Sequence, residues 1–316
     1  MPIINAPSST LQTIISKVRR ITRTPSTDQL TDQEIGDYIN TFVLYDFPDH
    51  LKLFDFKTTF TWYCNPYQDI YETDTSVLPI TDPLYNFNNL YISVNPPIYI
   101  AGYEAYYIQS REELFSQYPQ LRTIVQIGTG DGLTTNFTGT LQSIPVLAGK
   151  VQFSSITAAN TGLSATDVPT NPFDGTGDLI DTDTQLVIGT INYITGAYNI
   201  TWATAPGASE VVNSQTVPYQ PSRPTAIMYY DNKFTLRPVP DQPYAITMEV
   251  FKRPTALLDT VTSVPQLNEY WQYIAWGAAK KVFEDRMDSE HVQQLMPELK
   301  QQEALILYKT VMQMKN

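Results

Sequence analysis

Histidine occurs only at positions 50 and 291, and cysteine only at position 64. His50, His291 and Cys64 cannot by themselves build a His-rich metal centre, and the strong zinc ligands are nearly absent. A lone cysteine excludes an intrachain disulfide, so Cys64 is expected as a small buried hydrophobe. Charge is scarce as well: Asp, Glu, Lys and Arg make up 16% of the chain, against about 25% in ordinary globular proteins. No uninterrupted apolar run approaches the roughly 18 residues of a membrane span. The opening MPIINAPSSTLQTIISKVRR has no basic segment followed by an apolar core, so a chain made in a cytoplasm and free of membranes is expected. Without a secretory signal, the glycosylation sequons at Asn136 and Asn199 carry no weight.

Aromatic side chains, by contrast, are abundant: 21 Tyr, 13 Phe and 4 Trp make up 12% of the sequence. Rich aromatics with few charges match the composition of an interface core, in which tyrosine joins a large apolar body to one polar tip. A monomeric Tyr-rich β protein has the same composition. The net charge of -12 is uneven. Residues 1–125 hold 8 basic and 14 acidic side chains (8 − 14 = −6), residues 126–217 hold 1 and 7 (1 − 7 = −6), and residues 218–316 hold 11 and 11 (balance 0). Nowhere is there the basic footprint that tight nucleic-acid binding requires.

At 316 residues, roughly two domains are expected. Leu11, Ile14, Ile15, Val18 and Ile21 recur at helical spacing behind Ser8 and Ser9, with Pro25 as the stop and Lys17, Arg19, Arg20 and Arg23 as a basic outer side. Thr31, Glu34 and the Leu30/Ile35 pair announce a second helix by capping box and hydrophobic staple. Phe54 to Trp62 alternates like a half-buried strand. From Tyr63 to Ile100 long loops and isolated strands are expected, and Ser110 with Glu113 opens a short helix closed by Pro119. Residues 126–217 are rich in Thr and Gly, with strand-like runs at 151–156, 185–188, 191–193 and 197–202 between turn signals, which predicts a small β-sandwich or barrel. Beyond it, 226–230 and 233–236 read as a hairpin across Asp231-Asn232, followed by a strand at 244–251. Helices then run from Leu267 to about Asp285, from Ser289 to Met296, and from Pro297 at a first-turn position onward. The expected fold is α+β: a discontinuous helical and antiparallel-strand domain of residues 1–125 and 218–316, interrupted by a β insert at 126–217.

Chemistry is harder to find. GTGDG (Gly128 to Gly132) lacks the Lys and Ser/Thr of a phosphate loop and reads as a turn. Asp174, Asp178, Asp181 and Asp183 lie close together, in a solvated acidic loop or, alternatively, a calcium site, although their spacing is not that of an EF-hand. No catalytic constellation is visible, so neither enzymatic activity nor a cofactor is expected.

Three stretches carry a resemblance: LTDQEIGDYINTFVLYDFPDHLKLF (Leu30 to Phe54), FTLRPVPDQPYAITMEVFKRPTALL (Phe234 to Leu258) and LNEYWQYIAWGAAKKVFEDR (Leu267 to Arg286). They resemble bacteriophage neck proteins, the last two in particular the head-to-tail adaptors of short-tailed phages. The insert, with GTGDGLTTNFTGTL and GTINYITGAYNITWATAPG, looks like the small β-domains of many virion proteins. The resemblance implies a structural virion protein, made in the host cytoplasm and placed in the neck or tail. Its copies would form a ring, twelvefold in adaptors, around DNA in transit, with the portal, a tail tube or nozzle protein, and tail fibres as neighbours. It places the portal contact on the last helix, here Pro297, Leu299, Leu305, Tyr308 and Met312. The alternative is a tail-tube or fibre-docking ring whose β insert binds a fibre or glycan through Tyr198 or Trp202.

Overall fold

A computed structural model describes residues 9–47, 51, 53–171, 175–254, 258–265 and 268–315. His50, Asp174 and Leu267 lie outside the described residues. Contacts group the chain into two compact units, Met1–Phe60 with Asn86–Asn95 and Glu249–Asn316, and Thr61–Tyr85 with Pro96–Met248. Among the described residues are six α-helices: α1 (Leu11–Thr22), α2 (Asp32–Thr41), α3 (Phe87–Leu90), α4 (Arg111–Gln117), α5 (Trp271–Asp285) and α6 (Ser289–Lys315).

The first unit is built around α5. Its sequence alternates aromatic and small residues, and Tyr273, Ile274, Ala275, Gly277, Ala278, Ala279, Val282 and Phe283 are all buried. Helix α1 contributes Leu11, Ile14, Ile15 and Val18 to the same core. It ends at Arg23, which turns left-handed at φ 53°, so the stop comes two residues before Pro25. The expected capping box of α2 is present: the Glu34 N–H donates to Thr31 Oγ1 at 3.2 Å, and the Thr31 N–H donates to Glu34 Oε2 at 2.7 Å. Phe42 then continues α2 as a π-helical turn to Asp46. Phe54 does not begin a strand as its alternation suggested. Phe54–Phe56 forms a 3-10 turn that buries Phe56 and leaves Phe54 exposed, and the strand starts at Lys57.

The second unit contains two curled sheets. One has seven strands, three of which run on into the first unit: β1 (Lys57–Tyr63), β2 (Ile70–Glu72), β3 (Tyr91–Ile100), β4 (Tyr103–Ile108), β13 (Ala226–Tyr230), β14 (Lys233–Arg237) and β15 (Ala245–Lys252), in the order β1-β15-β3-β4-β13-β14-β2. The sheet curls far enough for Trp62 of β1 to meet Tyr71 of β2 at 4.7 Å and Phe234 of β14 at 5.8 Å between ring centres. The β13–β14 hairpin is as expected, with Asp231 and Asn232 both at positive φ (53° and 55°), the signature of a type I′ turn. An all-antiparallel sheet, however, does not form, because β4 and β13 run parallel. Parallel neighbours need a long connection, and here it contains α4 and the whole second sheet. Leu114 of α4 packs over the pair with Ile108, Ala226 and Met228.

The second sheet is a near-barrel of eight strands: β5 (Thr123–Thr129), β6 (Asn136–Thr140), β7 (Gln152–Ile156), β8 (Gly162–Asn171), β9 (Thr176–Asp181), β10 (Val187–Asn192), β11 (Ala197–Thr201) and β12 (Val211–Thr216), in the order β5-β12-β7-β8-β9-β10-β11-β6. The two runs expected at 185–188 and 191–193 are one strand, β10, bulged between Val187 and Gly189. The Phe137 ring of β6 lies 3.1 Å from where a Cβ on Gly128 of β5 would stand, so the two end strands approach without pairing. Inside are Phe153, Leu179, Ile191, Tyr198, Ile200 and Trp202.

Two close approaches depend on glycine. A Cβ on Gly277 would stand 2.2 Å from the Phe42 ring, which is itself stacked on Phe47 at 6.1 Å and tilted against Tyr273 at 5.4 Å. Gly277→Ala should gain about 1 kcal/mol of helix propensity and lose about 1–3 kcal/mol to overpacking. The expected result is a lower melting temperature, part of which returns when Phe42→Leu is added. In the near-barrel, Tyr198 pairs across strands with Gly139, and its hydroxyl lies 2.6 Å from the position a Cβ would take. Gly139→Val, a favourable strand residue by propensity, should therefore destabilise the near-barrel in a denaturant titration.

Candidate interaction surfaces

Cys64 and His291 both make structural contacts. Cys64 is buried, its Sγ accepts from the Tyr244 N–H at 3.2 Å, and burial pushes its thiol pKa up. His291 Nδ1 lies 2.7 Å from Asp288 Oδ2, and its ring stacks on Phe283 at 5.2 Å. Asp288 also accepts from the His291 N–H at 3.2 Å, which places this pair at the start of α6 as a cap.

GTGDG ends β5 and turns at Asp131, whose carboxylate accepts from the N–H groups of Leu133 (2.8 Å) and Thr134 (2.6 Å) and from the Thr134 hydroxyl (2.6 Å). Asp181 repeats the construction with Asp183 N–H (3.0 Å), Thr184 N–H (2.8 Å) and Thr184 Oγ1 (3.1 Å). Asn192 does so with the N–H groups of Ile194 and Thr195. Three turns of the near-barrel thus share one Asx-x-x-Thr device, a repeat that the sequence displays and that turn-counting by Gly and Pro alone misses. Of the candidate calcium ligands, Asp178 lies in β9 and Asp183 is exposed, while Asp181 spends one oxygen on its turn. Among the described residues no three His, Cys, Asp or Glu side chains converge to hold a metal.

The basic side of α1 is largely consumed within the unit. Arg19 donates to Asp32, at 2.5 Å from Nη2, and to the carbonyls of Thr24, Ser26 and Leu30. Lys17 lies over the Trp276 ring at 5.4 Å. Arg20 and Arg23 remain exposed. Tyr198 and Trp202 are core residues of the near-barrel, 7% and 2% exposed, so neither offers an open platform for a glycan. Most exposed aromatics of the second unit lie on the other sheet: Tyr63, Tyr99, Tyr103, Tyr106 and Tyr230, with the Arg223 guanidinium 3.9 Å above the Tyr103 ring, while Tyr67 is exposed in a turn.

The last helix differs from its expected form. Ser289–Lys315 is one continuous helix with Pro297 inside it, not a short helix followed by a new start. Proline removes one backbone hydrogen bond and normally breaks a helix interior. Here Leu295, Leu299 and Ile306 are buried in the core on both sides of the break, while Pro297 faces solvent, where water can satisfy the freed carbonyl. Leu299 therefore packs inward, whereas Leu305 (57% exposed), Tyr308 (67%) and Met312 (46%) point outward. Ala304, Leu307 and Val311 are exposed as well. The clefts beside the helix have mixed linings. One of about 610 Å³ has Phe42, Tyr273 and Leu299 together with Lys280, Lys281, Glu284 and Glu303, and another of about 410 Å³ has Tyr270, Leu305 and the Lys309–Glu269 ion pair.

Fold and surfaces together define a mixed α+β protein with a helical unit, two curled sheets and a largely apolar helix end facing outward. No protein-family model matches the chain, and no curated protein matches it. Among the described residues no helix is long and apolar enough to cross a membrane.

The turn at Asp131 gives a pH-dependent readout. Hydrogen bonds from Thr134 and Leu133 hold its carboxyl at about 2, below the ordinary 3.8. The depressed value means that the carboxylate's support for the turn is complete above the ordinary value and disappears as pH falls through about 2. A carboxyl NMR titration should give a midpoint near 2 that returns toward the ordinary value in Thr134→Val.

Proposed function

We propose that this chain is a non-enzymatic structural protein of a bacteriophage particle, a head-to-tail adaptor whose copies form a ring joining the portal to the tail. The observation that carries the reading is the end of α6, where Ala304, Leu305, Leu307, Tyr308, Val311 and Met312 are all exposed while Ile306 is buried beneath them. Apolar surface left uncovered along one side of a helix marks a place for a partner. Sparse charge and exposed tyrosines on the seven-stranded sheet support the same kind of role, since charge depletion and tyrosine enrichment characterise interface cores. On this reading the mechanism is geometric: copies close a ring, likened by the resemblance to twelvefold adaptors, and DNA passes through it. The near-barrel's acidic balance suits transit, because few cations are available to hold phosphates. The portal contact is assigned to Leu305, Tyr308 and Met312, with a tail tube or nozzle protein on the other side of the ring and tail fibres as further neighbours. The protein's place is then the neck or tail of the virion.

Truncation before Pro297 would remove Leu299 and Ile306 from the core, so surface substitutions make the cleaner test. Burying three or four of the outward side chains contributes about 1.5–3 kcal/mol each before ordering costs. Leu305→Asp with Tyr308→Asp should leave the isolated chain's melting temperature nearly unchanged, as exposed substitutions generally do, and lower the joining of tails to heads at least about tenfold. Normal joining with the doubly substituted chain would place the docking surface elsewhere.

A further inference from the structure

A cleft of about 270 Å³ lies in the second unit, where the chain enters and leaves the near-barrel. Tyr118-Pro119 after α4, Pro218-Tyr219 after β12 and Arg237-Pro238 at the end of β14 form its sides. Among the described residues lining it, Arg237 alone carries a charge. Arg237 is 5% exposed, and its Nη1 donates to Asp69 Oδ2 at 2.7 Å and to the Leu236 carbonyl at 3.0 Å. Its Nη2 is shut off from solvent and has no hydrogen-bond partner among the described residues. An unpaired charged donor is costly to bury, and native structures leave few of them. Beside a cleft, such a donor marks a place for an acceptor.

The surroundings decide what kind of acceptor it is. Asp69 already balances the guanidinium charge, so an incoming anion would lose its hydration without gaining a free counter-charge. Burial pushes the Tyr219 phenol pKa up, reinforced by Asp69 and Tyr67 nearby. This hydroxyl therefore keeps its proton and is a second donor, within reach of the Arg237 charge. Two donors without net charge suit a neutral carbonyl. The cleft is also smaller than the roughly 300 Å³ at which cofactor sites begin, which suits a residue or two of peptide. Its two tyrosine rings and three prolines make a wall of the kind that takes polyproline segments. So small a contact offsets little ordering entropy, which favours a segment already extended in solution. Proline, moreover, brings no N–H that the buried end would have to satisfy.

We infer that this cleft binds an extended, proline-containing segment of a partner protein, whose carbonyl accepts from Arg237 Nη2 and Tyr219 Oη while the proline ring lies against the tyrosines. The site is separate from the α6 surface and does not depend on the proposed assembly role.

The test is an NMR titration of the full chain, carrying ring-labelled tyrosine, with an acetylated and amidated Ala-Pro-Pro-Ala peptide. The Tyr219 ring signal is identified by its loss in Tyr219→Phe, and binding to the variants is followed from the peptide's own signals. The Tyr219 signal should shift saturably, with a dissociation constant of about 1 mM or below. An all-alanine peptide with the same ends should bind at least about threefold more weakly, and inorganic phosphate and acetate should leave the signal in place. Arg237→Lys keeps a cation beside Asp69 and should weaken binding at least about tenfold, whereas Tyr219→Phe keeps the ring and should weaken it about threefold. If Arg237→Lys does not fold, Tyr219→Phe decides. No saturation by about 10 mM peptide, equal binding of the all-alanine peptide, a larger response to phosphate or acetate, undiminished binding in Tyr219→Phe, or a Tyr219 signal that moves with chain concentration alone would each overturn the site.

Discussion

The contact of the Phe42 ring with Gly277 governs how the first unit is built. Helix α5 is buried on several sides, and its Ala and Gly residues let neighbouring elements approach closely. At Gly277 the missing side chain admits a ring already fixed by Phe47 and Tyr273. That contact joins α5 to the end of α2, and α6 then packs through Leu295, Leu299 and Ile306 into the same cluster. Because the inner side of α6 is committed in this way on both sides of Pro297, the helix stays continuous and its outer side is presented in a fixed orientation. Its exposed apolar side is thus a consequence of core packing several turns away.

In the second unit the governing constraint is topological. Once β4 and β13 lie side by side in parallel, no tight turn can join them. The chain between them folds α4 over the pair and then forms the near-barrel before returning. The near-barrel has its own solution to the edge problem: its end strands come together around Phe137 and Gly128 without a hydrogen-bonded closure. Its turns are held by Asx carbonyl or carboxylate oxygens that accept two successive amides, which explains why Asp is common in a region almost without lysine and arginine. Much of that negative charge is employed in local hydrogen bonding, as at Asp131, Asp181 and the buried Asp167, which accepts from the N–H groups of Gly149 and Val151.

The functional reading follows from what remains uncovered after these demands are met. Among the described residues Cys64 is buried, His291 caps α6 and Asp131 and Asp181 hold turns, whereas large apolar and aromatic side chains stay in water at the α6 end and on the seven-stranded sheet. Uncovered apolar surface of this kind is the usual mark of an interaction site. The proposal that this site meets a partner in a phage neck rests on the resemblance carried by the α2, hairpin and α5 stretches.

Local signals determined a good part of the fold. The Thr31–Glu34 capping box, the Asp231-Asn232 hairpin, the apolar face of α1, the helical character of the α5 stretch and the β character of the 126–217 segment were all legible in the sequence, because each depends on residues only a few positions apart. The Phe54 alternation and Pro297 were legible too but misleading: a propensity for strand or for helix termination is worth only a few kcal/mol, and burial of Phe56 in one case and of Leu295, Leu299 and Ile306 in the other outweighed it. Five of the eight near-barrel strands gave no clear periodic signal, since Thr, Ser and Asn on the outside and Gly opposite tyrosine on the inside blur the apolar alternation. Only the tertiary structure decided that Leu299 faces inward while Leu305, Tyr308 and Met312 face outward, that Tyr198 and Trp202 are core, and that β4 and β13 run parallel. A side chain's periodicity shows which neighbours share its face. Whether that face meets the core or water is set by elements distant in sequence.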